Sequence, residues 1–177
     1  DDVADSMLEM IAGAMEALTV GDPSELITDV GPVIDAEAKA ALDGHLAELK
    51  AKKANLLAEI ELPTSTTQGH FVTPSMYQIG SLADLDREHF GPILHVVRWK
   101  SGQLDKLIGQ INAPGYGLTL GLQSRIDTTR QFVEANARVG NLYVNRNQIG
   151  AVVESQPFGG EGLSGTGPKA GGPHYVA

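Results

Sequence analysis

The densest group of residues spaced as if for chemistry is Gln156–Tyr175, QPFGGEGLSGTGPKAGGPHY. Within it Gly160-Glu161-Gly162-Leu163-Ser164-Gly165 has the spacing G-x-G-x-x-G, which in the right setting brings a backbone against a pyrophosphate. That setting needs a strand before the first glycine, a helix after the last, and an acidic residue about 20 positions on to hold a ribose. Here Gly167, Pro168, Gly171, Gly172 and Pro173 forbid the helix, and no acidic residue stands at that distance. A G-x-x-x-x-G-K-[ST] phosphate loop is absent. The run reads instead as a shaped loop, neither helix nor strand, whose glycines allow positive φ and close backbone approach. His89 has no spaced partners that would make a metal set, and a chain without Cys has no thiolate nucleophile, disulfide or thiolate metal site. No catalytic residue and no metal ligand is therefore assigned.

The elements that must hold this loop are legible from periodicity. Val3, Met7, Met10, Ala14 and Leu18 recur at helical spacing, so residues 2–18 are expected as an amphipathic helix stopped by Gly21-Asp22-Pro23. Asp35 is placed to cap a second helix carrying Ala38, Leu42, Leu46 and Leu49 to about Lys53. Residues 56–61 and 70–79 suggest short strands or sheet edges near Pro63 and Pro74, and Ile93–Trp99 is a further strand. Ser101 is expected to cap a helix with Leu104, Leu107, Ile108 and Ile111, ended by Pro114-Gly115. Tyr116–Leu122 reads as a strand, Ser124 with Asp127 as a capping box for a helix over 125–138, and Asn141–Asn145 as another strand. This alternation predicts an α/β fold with parallel strands, and no internal repeat is present.

The 177 residues suffice for one domain, and 42% hydrophobic content fits a globular class. A net charge of −9 opposes nucleic acid or an anionic membrane as the main partner through this region. No apolar run reaches the ~20 residues of a membrane span, so a cytoplasmic location is expected. The chain opens on Asp1-Asp2-Val3, already helical in pattern, and is expected to be a piece of something longer.

Three landmarks, Glu88-His89-Phe90-Gly91-Pro92, Asn112-x-x-x-Tyr116-Gly117-Leu118-Thr119, and Asn145 followed by Pro157-Phe158-Gly159-Gly160 and Ser164-Gly165, together resemble the aldehyde dehydrogenase superfamily. The tail from Ser164 to Tyr175 is similar to that of the Δ1-pyrroline-5-carboxylate (glutamate semialdehyde) dehydrogenases, above all the dehydrogenase module of bifunctional proline-utilisation flavoproteins. The resemblance covers residues 1–177 as a single fragment. It implies the later part of a catalytic domain, three-layered, with a mostly parallel sheet and flanking helices. It also implies an NAD-dependent enzyme in which an upstream Cys attacks the aldehyde and an upstream Glu assists hydrolysis. The nucleophile, the general base, the side-chain oxyanion donor and the nucleotide-binding domain would then lie upstream. An upstream proline dehydrogenase module would carry FAD, and the family commonly forms homo-oligomers.

Carried over residue by residue, the resemblance makes Glu88 the carboxylate that accepts hydrogen bonds from both hydroxyls of the nicotinamide ribose, two acceptor oxygens matching a vicinal diol. The competing reading is a solvated surface Glu within Asp84–Glu88. Phe90 would wall the ribose and nicotinamide, or else be plain core. Gly150 and Ala151, eight and seven residues before Phe158, would donate backbone N–H groups to the substrate α-carboxylate, or else form a turn. Phe158 would line the aliphatic part of the substrate, staple the Gly-rich loop to the core, or do both. Asn112, Tyr116 and Asn145 are expected to be structural: Asn112 at a helix end, Tyr116 with its ring buried.

The leading expectation is therefore oxidation of L-glutamate γ-semialdehyde to L-glutamate in proline breakdown, with these 177 residues inactive alone. Two others stand beside it: an aldehyde dehydrogenase for another carboxylate-bearing aldehyde, and a non-catalytic aldehyde-dehydrogenase-like assembly module.

Overall fold

Asp35 starts the best-formed helix, α2 (Ala36–Ala51), by accepting the Ala38 N–H on its carboxylate at 2.7 Å. Along α2 the buried residues are Leu42, His45, Leu46 and Leu49, a stripe at helical spacing that faces a sheet. Lys53 then takes the left-handed conformation with φ of 56°, turning the chain into β1 (Asn55–Glu59). The computed structural model describes residues 2–149, 156–165 and 167–174, which divide into a unit up to Ser101 and a unit from Gly102 onward.

The first unit holds a mixed three-stranded sheet in the order β1, β2 (Ser75–Gln78), β3 (Ile93–Val96). β1 runs antiparallel to β2 with an irregularity between Leu56 and Ala58, and β2 runs parallel to β3 in the register Ser75 to Ile93. β3 ends at Val96, opposite Gln78, the last residue of β2, and does not continue to Trp99. The core joins Leu42, Leu46 and Leu49 to Val72, Tyr77, Ile79 and Ile93. Burying each of the aliphatic side chains among them stabilises the fold by about 1.5–3 kcal/mol.

The N-terminal helix α1 (Ala4–Glu16) forms as its periodicity predicts, yet none of its residues is buried. Met7, Leu8 and Ile11 line an apolar groove with Leu94–Trp99, while Val3 and Met10 stay largely exposed.

In the second unit α3 (Leu104–Asn112) buries Ile108 and stops at the Pro114-Gly115 turn, where Gly115 has φ of 79°. Its N-cap is Gln103, without a side-chain cap, so Ser101 does not serve as expected. The segment 116–122 is also not one strand. β4 (Tyr116–Gly117) pairs antiparallel with β7 (Glu161–Gly162), whereas β5 (Thr119–Leu122) pairs in parallel with β6 (Asn141–Val144). The connection from β5 to β6 is α4 (Asp127–Asn136), giving the strand-helix-strand unit that the alternation predicts.

The capping box does not form. Ile126 is the N-cap of α4, and the Ser124 hydroxyl accepts the Ile126 N–H at 3.1 Å in a turn that precedes the helix. Tyr116 is 63% exposed, so its ring is not buried as expected. Among the described residues, no helix is long and apolar enough to cross a membrane.

Candidate functional site

The first candidate residues lie in the segment between the turn at Leu82–Asp84 and β3. Ser81 and Asp84 cap that turn reciprocally, Ser81 Oγ accepting the Ala83 N–H at 3.2 Å and Asp84 Oδ2 the Ser81 N–H at 2.9 Å. Beyond it Glu88 is exposed, and among the described residues its carboxylate has no hydrogen bond or ion pair. Phe90 is 85% exposed, so within this chain it is not part of the core. Between them His89 points inward, its side chain only 6% exposed.

The segment is fixed to the sheet and to α2. Ser75 donates its N–H to the Pro92 carbonyl at 3.0 Å, which ties the entry to β3 onto β2. Gly91 lies so close to α2 that a Cβ there would overlap the Leu42 side chain. The glycine of Glu88-His89-Phe90-Gly91-Pro92 thus lets the segment lie against the Leu42 side chain of α2 without displacing it. A carboxylate without a partner among the described residues offers two acceptor oxygens to a ligand bearing adjacent hydroxyls, and an exposed aromatic ring follows two residues on.

Sequence reasoning left His89 without partners, but three histidines from distant parts of the chain meet here. The His45 and His89 rings stack with centroids 3.4 Å apart and 16° between planes. His45 Nε2 and His95 Nε2 are 2.8 Å apart, a hydrogen bond in which one ring donates and the other accepts. Burial, and secondarily the neighbouring His89 and His95, pushes the His45 pKa down to about 4. Burial likewise lowers that of His95. Two neutral rings sharing one proton between their Nε2 atoms fit this arrangement. Among the described residues no group of His, Asp and Glu could hold a metal ion. Only the i, i+3 relation of Leu42 and His45 on α2 hinted at a common face.

The second candidate region is the Gly-rich loop. Phe158 is half-buried and exchanges backbone hydrogen bonds with Ala170 at 2.9 and 2.8 Å, so it staples the loop across its own width. Asn141, at the start of β6, clamps both sides of Phe158: its Nδ2 donates to the Pro157 carbonyl at 2.9 Å and its Oδ1 accepts the Gly159 N–H at 3.2 Å. Gln156 Nε2 donates to the Tyr143 hydroxyl at 2.7 Å, and Lys169 Nζ donates to the Gly140 carbonyl. A Cβ on Gly140 would overlap the carbonyl oxygen of Gly159, so loop and strand lie backbone on backbone. Sequence reasoning missed Asn141, whose partners lie 16 and 18 residues away.

The rejected dinucleotide fingerprint stays rejected, since Glu161-Gly162 forms β7, followed by a turn where the fingerprint needs a helix. The two-residue strand itself departs from the expected strandless loop. Ser164 Oγ accepts the Gly117 N–H at 3.1 Å beside it. Asn112 and Asn145 are structural as expected. Asn112 serves the end of α4, donating to the Asn136 carbonyl at 2.8 Å and accepting the Arg138 N–H at 2.9 Å. Asn145, with φ of 55°, exchanges two 2.9 Å hydrogen bonds with the Ser124 backbone. Gly150 and Ala151 lie outside the described residues.

Relatives cover this chain end to end. It is 52% identical over 180 residues to the Bifunctional protein PutA of Klebsiella aerogenes, a match spanning 99% of this chain and 14% of that protein. It is 37% identical over 183 residues to 1-pyrroline-5-carboxylate dehydrogenase 1 of Halalkalibacterium halodurans, spanning 99% of this chain and 34% of that one. A crystal structure of a Bradyrhizobium japonicum Proline Utilization A (PutA) mutant superposes with a TM-score of 0.92 at 53% identity, over 99% of this chain and 18% of that chain. The chain thus spans about a seventh to a third of the length of these curated relatives. The model of the aldehyde dehydrogenase family matches residues 1–177, and this chain belongs to that family.

Proposed function

We propose that this chain forms the later part of the catalytic domain of a dehydrogenase that oxidises L-glutamate γ-semialdehyde to L-glutamate with NAD, in proline breakdown. The observation that carries the reading is the likeness along the whole chain to proteins named PutA and 1-pyrroline-5-carboxylate dehydrogenase. The exposed Glu88 carboxylate, without a partner among the described residues, and the exposed ring of Phe90 two residues on support it on the cofactor side.

In this reading Glu88 holds the two ribose hydroxyls and so orients the nicotinamide, while Phe90 covers it on one side and limits water. When bound, the dinucleotide supplies the hydride acceptor. Gly150 and Ala151 offer backbone N–H groups to the substrate carboxylate, and Phe158 packs on its methylenes. Each methylene buried there stabilises the complex by about 0.8 kcal/mol. With no Cys in the 177 residues, the thiolate that attacks the aldehyde belongs to another part of the full protein. The remaining partners in this reading are the upstream domains, a proline dehydrogenase module with FAD among them, and further copies of the chain, in the cytoplasm.

Replacing Gly150 or Ala151 by Val in the intact enzyme tests the reading. The rate with glutamate semialdehyde is expected to fall relative to a simple aliphatic aldehyde, because the carboxylate loses its close approach to the backbone. An unchanged ratio between the two aldehydes would sink the substrate assignment.

A further inference from the structure

The geometry points to His89 as a positioning residue for the cofactor side of the site: its ring, stacked on His45, holds the segment so that Glu88 and Phe90 face outward together. The inference rests on the proposed role of Glu88 at the cofactor ribose. Three consecutive side chains alternate out, in and out, with Glu88 exposed, His89 6% exposed and Phe90 85% exposed. The inward residue is the only one of the three that can fix the direction of the other two. Its hold comes through the ring face. His89 Nε2 is buried without a hydrogen-bond partner, and its nearest carboxylate, Asp86 Oδ1, is 3.5 Å away on a largely exposed side chain. With that nitrogen unpartnered among the described residues, the ring is held by its face packed against His45, centroids 3.4 Å apart.

His45 is in turn a fixed plate. It is buried on α2 and bound to His95 of β3 through the 2.8 Å contact between their Nε2 atoms. One helical turn away on the same face, Leu42 touches Gly91. The segment is therefore docked on α2 at two points that flank Phe90. Removing the His89 ring leaves the segment anchored on the Pro92 side, at Gly91 and the Ser75–Pro92 hydrogen bond, and loosens the part that carries the Glu88 carboxylate.

The test uses the intact dehydrogenase carrying this segment, with KM for the dinucleotide and for the aldehyde measured separately. His89→Ala is expected to raise the dinucleotide KM roughly tenfold while leaving the aldehyde KM nearly unchanged. His89→Phe keeps a flat ring and is expected to restore the dinucleotide KM to within about twofold of the parent. His89→Leu, which fills the space without a stacking face, answers the same question if the alanine variant does not accumulate. Glu88→Gln is the control for the underlying reading. If Glu88→Gln weakens dinucleotide binding and the alanine and leucine variants do not, His89 has no positioning role. If both KM values rise together and Phe does not rescue, the role is general packing and the inference falls. If Glu88→Gln has no effect, the cofactor assignment itself fails, and the inference with it.

Discussion

Replacing Asn141 by Ala should loosen the Gly-rich loop on both sides of Phe158 without touching any group proposed to meet substrate. The side chain makes two hydrogen bonds to that loop, at 2.9 Å to the Pro157 carbonyl and 3.2 Å from the Gly159 N–H. Each such bond contributes about 0.5–1.5 kcal/mol net. Asn141 is only half-buried, so water recovers part of the loss, and the combined cost falls at roughly 1–2 kcal/mol. If that cost appears in ordering Phe158 over the aldehyde, KM for glutamate semialdehyde rises about 5- to 30-fold. Steady-state kinetics of the intact enzyme reads it directly, with the dinucleotide KM as internal reference. An aldehyde KM within about twofold of the parent would refute the clamp, as would a parallel rise in both KM values.

Glu88→Gln replaces one acceptor oxygen by a donor and removes the charge; in the proposed role of Glu88 at the cofactor ribose, losing one charge-assisted hydrogen bond costs about 1.5–3 kcal/mol, so kcat/KM for the dinucleotide should fall roughly 10- to 150-fold. Gly140→Ala sets a Cβ against the Gly159 carbonyl, and overpacking of this kind costs about 1–3 kcal/mol, read as a lower Tm of the intact enzyme; an unchanged Tm would show that loop and strand are not in close backbone contact. Stability should also depend on pH through His45, whose pKa is held at about 4 against an ordinary 6.5, and through His95, also lowered. Both folded values lie below the unfolded one, so this contribution is complete above pH 6.5 and is lost as pH falls toward about 4. Glu48 and Asp86 act in the opposite direction on His45, and His89 and His95 in the same direction as burial. Thermal unfolding across that range should show the loss, and His45→Phe should flatten it. The 177 residues alone should form no NADH, since they hold no Cys; turnover by them would place the chemistry among residues assigned no catalytic part.

What the sequence made legible was local. Asp35 before an apolar stripe predicts α2 because the cap and the stripe are read within a few turns of one helix. The strand expected over Asn141–Asn145, which ends one residue earlier at Val144, and the Pro114-Gly115 turn are local in the same sense. The failures share a cause. Ser124-x-x-Asp127 satisfies the pattern of a capping box, but the Ser124 backbone is held by Asn145, 21 residues away, and its hydroxyl closes a turn instead. Residues 116–122 read as one strand because periodicity does not report that β4 and β5 choose different partners. The histidine stack joins residues 45, 89 and 95 with no common period, and Asn141 reaches its loop across a long connection. Of the candidate site, the motif names Glu88 and Phe90 and the structure adds that both are exposed, while their contact with a cofactor rests on the motif. Gly150 and Ala151 rest on the motif alone.

The most direct measurement compares kcat/KM of the intact dehydrogenase for L-glutamate γ-semialdehyde and for succinate semialdehyde, following NADH. The account predicts a clear preference for glutamate semialdehyde, whose α-carboxylate the Gly150-Ala151 backbone would hold. Equal use of the two aldehydes, or a preference for succinate semialdehyde, would contradict it.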